Sequence, residues 1–262
     1  MGKFSGVLIC TDLDGTLACG SQICEENCRA IAYFQSEGGR FTYATGRPAG
    51  YEKNLSVTPN APLIMENGTR IYDAPSGRTL WTFPLDGCGP LLEWLDTATT
   101  FRLISLCFVD GIVRAEPGNV VESVLAHTTG DLLKIVCSEF EDPLPETAIA
   151  FRDAAIQRFG TRYQVHRSWA TGVEFISPLG GKGACAAMLC SLLGEEIHTL
   201  VGIGDYENDL TLLTRSDRSF APANACESVL ENAQQVLCDY REGAVAQMIA
   251  VLDREFSKKE VL

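Results

Sequence analysis

The sequence predicts an α/β fold in which a doubly wound parallel sheet carries an inserted α+β unit. Short apolar runs alternate with amphipathic helical segments near both ends of the chain, as expected for parallel strands joined by helices. From about residue 84 to residue 178 this alternation stops, and apolar runs follow one another in pairs. We therefore predict a core of residues 1–83 and 179–262 and an inserted unit of residues 84–178.

The core segment before the insert opens with GVLIC at 6–10, an apolar run typical of a buried strand. Residues 23–39 carry apolar side chains at helical spacing and end in two glycines, which predicts an amphipathic helix. Further strands are predicted at 40–44 and within 61–68, and a β-hairpin is predicted over 69–83.

The remaining elements are assigned from the same apolar patterns and turn residues. In the insert, helices are predicted at 92–99, 119–127 and 145–159, with two strands within 101–116 and others at 132–138, 161–167 and 171–177. In the second core segment, helices are predicted at 182–194, 207–215, 225–233 and 243–256, and strands at 198–204, 218–223 and 235–238.

The composition is that of a globular chain and argues against two classes of partner. Apolar residues make up 46% and charged residues 21% of the sequence, and the formal net charge is −13. Such an acidic surface repels nucleic acid and anionic membranes, so we expect neither as a partner. It also repels a phosphorylated substrate at long range, so a phosphate site would need local positive charge such as a bound metal.

Cysteine usage and the start of the chain predict a cytoplasmic protein. The chain has 11 cysteines, and no two of them form a C-x-x-C pair. The first residues lack the pattern of a signal peptide, and no apolar run reaches the roughly 18 residues that span a bilayer. We therefore expect reduced thiols in the cytoplasm. The sequence assigns no role to the cysteines and no oligomeric state.

Four polar segments carry the candidate chemistry, and each lies where a strand ends or a helix begins. In open α/β sheets ligands bind at the carboxyl ends of the strands, so these segments can converge. The first segment is DLDGTL at 12–17, which places Asp12 and Asp14 directly after a strand. Carboxylates so close repel each other unless one is protonated or a cation such as Mg²⁺ lies between them. The structural alternative is an acidic turn with Gly15 at positive φ.

The second and third segments offer groups that bind a phosphate. ATGRP at 44–48 supplies the hydroxyl of Thr45 and backbone N–H groups such as that of Gly46. Lys182 begins a predicted helix, where its charge opposes the helix dipole and indicates a purpose other than helix stability. Taken alone, each segment also fits an ordinary loop or a surface lysine.

The fourth segment is GDYENDLTLL at 204–213, between a strand and a helix. It brings together Asp205, Asn208 and Asp209, which is more than the capping of one helix requires. Gly202 and Gly204 begin a pattern similar to a dinucleotide fingerprint, but Glu207 stands at the third glycine position and would repel a pyrophosphate. We assign Glu207 no role.

Together these segments resemble the motifs of the haloacid dehalogenase superfamily of phosphohydrolases. DLDGTL resembles its first motif, ATGR its second, the lysine of GGKG its third and GDYENDLTLL its fourth; IMENGTRIYD and the dipeptide at 224–225 also agree. The insert is similar in position to the type 2 cap of subfamily IIB, which includes Cof-like sugar phosphatases and sucrose-phosphate phosphatase. The resemblance covers essentially the whole chain and implies a Rossmann-like core with an α+β cap.

The resemblance also implies roles for the site residues. Asp12 is the nucleophile that attacks phosphorus, and Asp14 is the acid and base. The implied Mg²⁺ ligands are the Asp12 carboxylate, the Asp14 backbone carbonyl and the Asp205 carboxylate, with Asn208 and Asp209 orienting these ligands or binding metal-bound water. The implied contacts to the substrate are Thr45, Gly46 and Lys182 on the phosphate, and Arg47.

The implied function is Mg²⁺-dependent hydrolysis of a small phosphorylated metabolite, a sugar phosphate or a similar ester, through an aspartyl phosphate. A phosphotransferase or phosphomutase that uses the same intermediate is the main alternative. A non-catalytic sensor would be favoured by loss of Asp12 or Asp14, and both are present. A cap of this size favours small substrates over proteins, and the sequence pattern does not identify the substrate.

Overall fold

The chain forms two compact units, which we call the core unit and the inserted unit. The core unit comprises the residues up to Trp81 and those from Lys182 onward, and the inserted unit is Thr82–Gly181. The computed structural model describes residues 2–259 of the chain. Within this range, no helix is both long enough and apolar enough to cross a lipid bilayer.

The first part of the core unit alternates strands and helices as its apolar pattern predicts. Its elements are β1 (Val7–Thr11), β2 (Ala18–Cys19), β3 (Gln22–Ile23), α1 (Glu25–Ser36), β4 (Arg40–Tyr43), β5 (Leu63–Met65), β6 (Arg70–Asp73) and β7 (Arg78–Thr82), whose last residue opens the inserted unit.

The inserted unit combines antiparallel strands with helices. Its elements are α2 (Gly89–Asp96), β8 (Phe101–Phe108), β9 (Gly111–Ala115), α3 (Val120–Ala126), β10 (Leu132–Phe140), α4 (Pro145–Phe159), β11 (Gln164–Trp169) and β12 (Gly172–Ile176).

The second part of the core unit resumes the alternation. Its elements are α5 (Lys182–Leu193), β13 (Thr199–Ile203), α6 (Leu210–Arg215), β14 (Arg218–Ala221), α7 (Glu227–Asn232), β15 (Gln235–Val236) and α8 (Ala244–Lys259).

The core unit is built on a five-stranded parallel sheet with the order β15-β14-β13-β1-β4. All five residues of β1, an interior strand between β13 and β4, are buried, which explains why this strand is apolar along almost its whole length. Thr11 pairs with Ile203 of β13 and with Tyr43 of β4, so three strands end at the same level. The predicted doubly wound α/β class is confirmed. The carboxyl ends of β1, β4 and β13, where the site is expected, lie side by side.

Three details of the core unit differ from the sequence-based assignment. The short hairpin of β2 and β3 was not predicted, because two-residue strands are too short to show an alternating pattern. The helix predicted at 207–215 opens with a 3₁₀ turn, Glu207–Asp209, before α6 begins. The strand predicted at 235–238 ends at Val236, and the N–H of Cys238 donates to the side chain of Gln247 instead.

The inserted unit has its own antiparallel sheet, in the order β11-β12-β10-β8-β9, and its own core. Ile135 and Phe175 lie on the face that packs against helix residues such as Phe151 of α4. Side chains alternate between the two faces of a strand, so Lys134 and Glu174 lie on the opposite face. Both are nevertheless buried, and Lys134 Nζ donates to both carboxylate oxygens of Glu174 at 3.2 Å.

This buried ion pair gives a prediction about stability. Lys134→Met removes the ammonium group from a buried carboxylate and should lower the free energy of unfolding by about 3 kcal/mol. Combining Lys134→Met with Glu174→Leu removes both charges, so the double variant should be more stable than the single one. Urea unfolding followed by circular dichroism measures both differences. A double variant less stable than Lys134→Met would contradict this account of the pair.

Candidate active site

The candidate site lies at the carboxyl ends of β1, β4 and β13, where the sheet register brings three chain segments together. Asp12 directly follows β1, and its N–H donates to the C=O of Ile203, the last residue of β13, at 2.9 Å. On the other side of β1, the N–H of Ala44 donates to the C=O of Thr11 at 2.7 Å. The segments that begin at Asp12, Ala44 and Gly204 therefore leave the sheet side by side, at the carboxyl ends of its strands.

Lys182 lies between two carboxylates at the centre of this site. Its Nζ donates to Asp12 Oδ1 and to Asp209 Oδ1, each at 2.5 Å. Lys182 and Asp209 are fully buried, and Asp12 is 7% exposed. Burial opposes the charge of the ammonium group, but Asp12 and Asp209 outweigh this effect and raise the pKa of Lys182 above its ordinary value. These contacts explain why a lysine begins α5 against the helix dipole.

Three carboxylates crowd the same place. Asp12, Asp205 and Asp209 each offer an oxygen, and these oxygens lie within 4.8 Å of one another. Burial raises the pKa of Asp12, and Lys182 partly offsets that rise. Burial and the neighbouring Asp209 raise the pKa of Asp205 to about 6. The single ammonium group does not balance three carboxylates, so the site favours a further positive charge.

The donor set fits a hard divalent cation. Asp209 is already engaged, because its Oδ2 accepts from the N–H groups of Asp205 and Tyr206 at 3.0 and 3.1 Å. Asp12 and Asp205 therefore have the more available carboxylates, and such oxygens are the ligands that Mg²⁺ and Ca²⁺ prefer. The Oδ1 of Asn208 is buried and has no hydrogen-bond partner among the described residues. Such an acceptor could accept a hydrogen bond from a metal-bound water.

Two glycines allow the close packing of the acidic loops. A Cβ on Gly204 would lie 2.3 Å from Cγ of Asp209, so a side chain at position 204 would displace that carboxylate. A Cβ on Gly15 would lie 2.6 Å from Oδ2 of Asp205, and Gly15 also has φ of +86°. The turn after β1 can therefore approach Asp205 only because position 15 carries no side chain.

The loop after β4 holds Thr45 and Gly46 in a tightly packed position. Thr45 is buried, its N–H donates to the C=O of Ile64 at 2.9 Å, and its Oγ1 accepts from the N–H of Arg47 at 3.1 Å. A Cβ on Gly46 would lie 3.1 Å from both polar atoms of the Asn67 amide. The pairing of Tyr43 with Thr11 sets this loop beside Asp12.

Asp14 is separate from the buried cluster and pairs with Arg47. The guanidinium donates to both carboxylate oxygens through Nε at 2.9 Å and Nη2 at 2.8 Å, and this contact raises the pKa of Arg47. The two side chains are each 42% exposed, and Arg47 also lies 4.6 Å over the ring of Tyr51. A half-exposed ion pair contributes roughly 1 kcal/mol or less, so a substrate can displace it.

Three residues to which the sequence pattern assigns no role lie around the site in the structure. Thr16 donates from Oγ1 to Asp205 Oδ1 at 2.7 Å, and Asn224 donates from Nδ2 to the C=O of Gly15 at 2.8 Å. Asn67 accepts at Oδ1 from Nδ2 of Asn208 at 2.9 Å. All three belong to segments already singled out in the sequence, but each acts through a contact that no local pattern reveals.

Relatives and solved structures resemble this chain over nearly its full length. The 5-amino-6-(5-phospho-D-ribitylamino)uracil phosphatase of Bacillus subtilis is 21% identical over 92% of this chain and 96% of its own. A haloacid dehalogenase-like hydrolase from B. subtilis has a TM-score of 0.76 at 20% identity, covering 93% of this chain and 98% of that one. A subclass IIB sugar phosphatase has a TM-score of 0.74 at 13% identity, covering 94% and 98%.

The family assignment rests on a match that includes every candidate site residue. The model of the haloacid dehalogenase-like hydrolases matches residues 9–111 and 116–249. This range contains the segments around Asp12, Thr45, Lys182 and Asp205 on which the resemblance was based. The resemblance and the expectation of a hydrolase are thereby confirmed. The chain belongs to the family of haloacid dehalogenase-like hydrolases.

Proposed function

We propose that this protein is a Mg²⁺-dependent phosphatase that hydrolyses a small phosphate ester through an aspartyl phosphate on Asp12. The observation that carries the proposal is the buried contact of Lys182 with Asp12, beside two further carboxylates. The buried ammonium group acts against the effect of burial on the pKa of Asp12, which favours the ionised and therefore nucleophilic carboxylate. The same ammonium group supplies positive charge for the oxygens of a phosphoryl group, which phosphoryl transfer requires.

In the proposed first step, a carboxylate oxygen of Asp12 attacks phosphorus and the bond from phosphorus to the ester oxygen breaks. Asp14 gives its proton to the leaving oxygen, so the alcohol departs neutral. The hydroxyl of Thr45, the N–H of Gly46 and Lys182 hold the phosphoryl oxygens. When bound, Mg²⁺ would be held by Asp12, the C=O of Asp14 and Asp205, and it would neutralise charge on the phosphoryl group.

In the proposed second step, water attacks the phosphorus of the aspartyl phosphate. The Asp14 carboxylate takes a proton from this water, and the bond from phosphorus to the Asp12 oxygen breaks. Inorganic phosphate leaves, Asp12 is a carboxylate again, and Asp14 carries the proton with which it began. Atoms and protons therefore balance over one turnover.

The pairing of Asp14 with Arg47 fits this cycle as the arrangement before substrate binds. A substrate anion competes for the guanidinium, because Arg binds phosphate and carboxylate oxygens in the same bidentate geometry. When Arg47 turns to the substrate, Asp14 is released for proton transfer. Arg47 would thus contact the substrate, as the resemblance implies, and its position beside Asp14 supports that role.

The proposed substrate is a sugar phosphate or a similar polyol phosphate. One B. subtilis relative is a 5-amino-6-(5-phospho-D-ribitylamino)uracil phosphatase, and one of the similar structures is a sugar phosphatase. The inserted unit, Thr82–Gly181, is proposed as a type 2 cap that contacts the part of the substrate beyond the phosphate. Its independent sheet and core are those of a self-contained unit, which supports this assignment.

Release of nitrophenol from nitrophenyl phosphate tests the proposal, since this ester needs no contact beyond its phosphate. We expect hydrolysis with Mg²⁺, loss of hydrolysis with excess EDTA and recovery when Mg²⁺ is restored. Asp12→Asn keeps the shape of the side chain but not its charge, so the rate should fall by about 10³-fold or more.

The matched control is Asp131→Asn, which removes an exposed carboxylate outside the core unit and should leave the rate unchanged. Thermal unfolding of each variant checks that it is folded. An unchanged rate in EDTA would remove the metal from the proposal. A folded Asp12→Asn variant with a rate within about tenfold of the wild type would remove the nucleophile.

A further inference from the structure

The turn between β5 and β6 has an unusual backbone. Glu66, Asn67 and Gly68 are consecutive and have φ angles of +48°, +59° and +80°. Positive φ is easy for glycine and tolerable for asparagine, but for glutamate it costs on the order of 1 kcal/mol or more. Strain of this kind persists where surrounding contacts fix the backbone, and it is common at functional sites. This turn lies beside the candidate site.

Asn67 contacts two of the loops that form the site. Its N–H donates to the C=O of Thr45 at 2.9 Å, and its amide packs against Gly46. On its other side, its Oδ1 accepts from Nδ2 of Asn208 at 2.9 Å. Asn67 is 1% exposed, so it joins the Thr45 loop to the loop after β13 from a buried position.

The contact with Asn67 fixes which end of the Asn208 amide is available. An amide has a donor end and an acceptor end, and the donor Nδ2 is directed to Asn67. The acceptor Oδ1 is left on the other side of the amide, buried and with no hydrogen-bond partner among the described residues. A buried acceptor without a donor lowers the free energy of unfolding by about 1–3 kcal/mol. A donor from a bound group would remove this cost.

We propose that Asn67 is a positioning residue that orients the Asn208 amide so that Oδ1 accepts a hydrogen bond from water on the bound Mg²⁺. This inference rests on the metal of the proposed function. Without the acceptor on Asn67, the Asn208 amide can turn and present Nδ2, which repels the hydrogens of a metal-bound water. Residues that orient the ligands of a metal in this way commonly change metal affinity by about 10- to 100-fold when they are removed.

The backbone of the turn explains why asparagine suits position 67. A side chain that tolerates φ of +59° and ends in an acceptor oxygen is needed, and asparagine and aspartate meet both requirements. Glu66 helps to hold the turn, because its Oε1 accepts from the N–H of Ala49 at 3.2 Å and lies 3.6 Å from Nη1 of Arg70. The contacts of Glu66 thereby stabilise the turn that carries Asn67.

The test measures Mg²⁺ binding directly, by calorimetry and by the rise in unfolding temperature with Mg²⁺, in the full chain without substrate. Asn67→Gly removes the amide and keeps the positive φ, so it avoids added strain. We expect its Mg²⁺ dissociation constant to rise by about tenfold or more. Asn67→Asp keeps the acceptor oxygen and should retain most of the affinity. Asn208→Ala should weaken binding about as much as Asn67→Gly.

A double variant and a matched control separate orientation from stability. If Asn67 acts through Asn208, then combining Asn67→Gly with Asn208→Ala should weaken binding no more than Asn208→Ala alone. The control is Asn60→Ala, which also removes an amide that ties two segments, since Asn60 bonds to Phe41 and Gly39. It should lower the unfolding temperature and leave Mg²⁺ affinity unchanged.

Two results would overturn the inference while leaving the proposed function intact. One is an Asn67→Gly variant that is less stable but binds Mg²⁺ within about twofold of the wild type. The other is a double variant whose loss of affinity equals the sum of the two single losses, expressed as free energies. A wild-type protein that binds no Mg²⁺ would overturn both this inference and the proposed metal.

Discussion

The contact of Lys182 with Asp12 and Asp209 is the interaction on which the rest of the site depends. An ammonium group with no exposed surface is stable only if nearby carboxylates compensate for its lost hydration, and these two do so at 2.5 Å. The helix that begins at Lys182 must therefore start close to the carboxyl end of β1. Gly183 allows α5 to pack closely against α6, since a Cβ there would lie 2.0 Å from the backbone oxygen of Thr211.

This arrangement leaves the site with an excess of negative charge, in a chain whose formal net charge is already −13. A phosphate ester would be repelled by the three carboxylates, whose charge the single ammonium group of Lys182 does not balance. The carboxylates of Asp12 and Asp205 and the buried oxygen of Asn208 all favour a cation with bound water. Electrostatics and the donor atoms therefore both support the proposal that a divalent cation binds at this site.

The sequence predicted the fold class well, because apolar strands and amphipathic helices show their periods within a few residues. It also singled out the site segments, since polar residues that directly follow a buried strand stand out against their surroundings. Contacts between distant segments could not be predicted in this way. Asp14 and Arg47 are 33 residues apart, and Asn67 and Asn208 are 141 apart. Pairs such as these depend on loop conformations that no short pattern encodes.

The buried ion pair of the inserted unit shows the same limit. Lys134 lies within LLKIVCS, which is apolar enough to predict a strand, but its partner Glu174 is 40 residues further along. Only the pairing of β10 with β12 places the two side chains on one face of the sheet. A charged residue in an apolar run therefore indicates that it has a partner of opposite charge, but the sequence does not identify that partner.

The most direct test of the account is to trap the covalent intermediate on Asp12. Asp14→Asn cannot take a proton from water, while nitrophenolate leaves without needing one, so the aspartyl phosphate should accumulate. After mixing with nitrophenyl phosphate and Mg²⁺, acid quenching and digestion, mass spectrometry should find one phosphoryl group on the peptide that contains Asp12. That group should be absent when Asp12→Asn is added to the variant. A wild-type enzyme that hydrolyses the ester, with the phosphoryl group found on another residue or on none, would contradict the account.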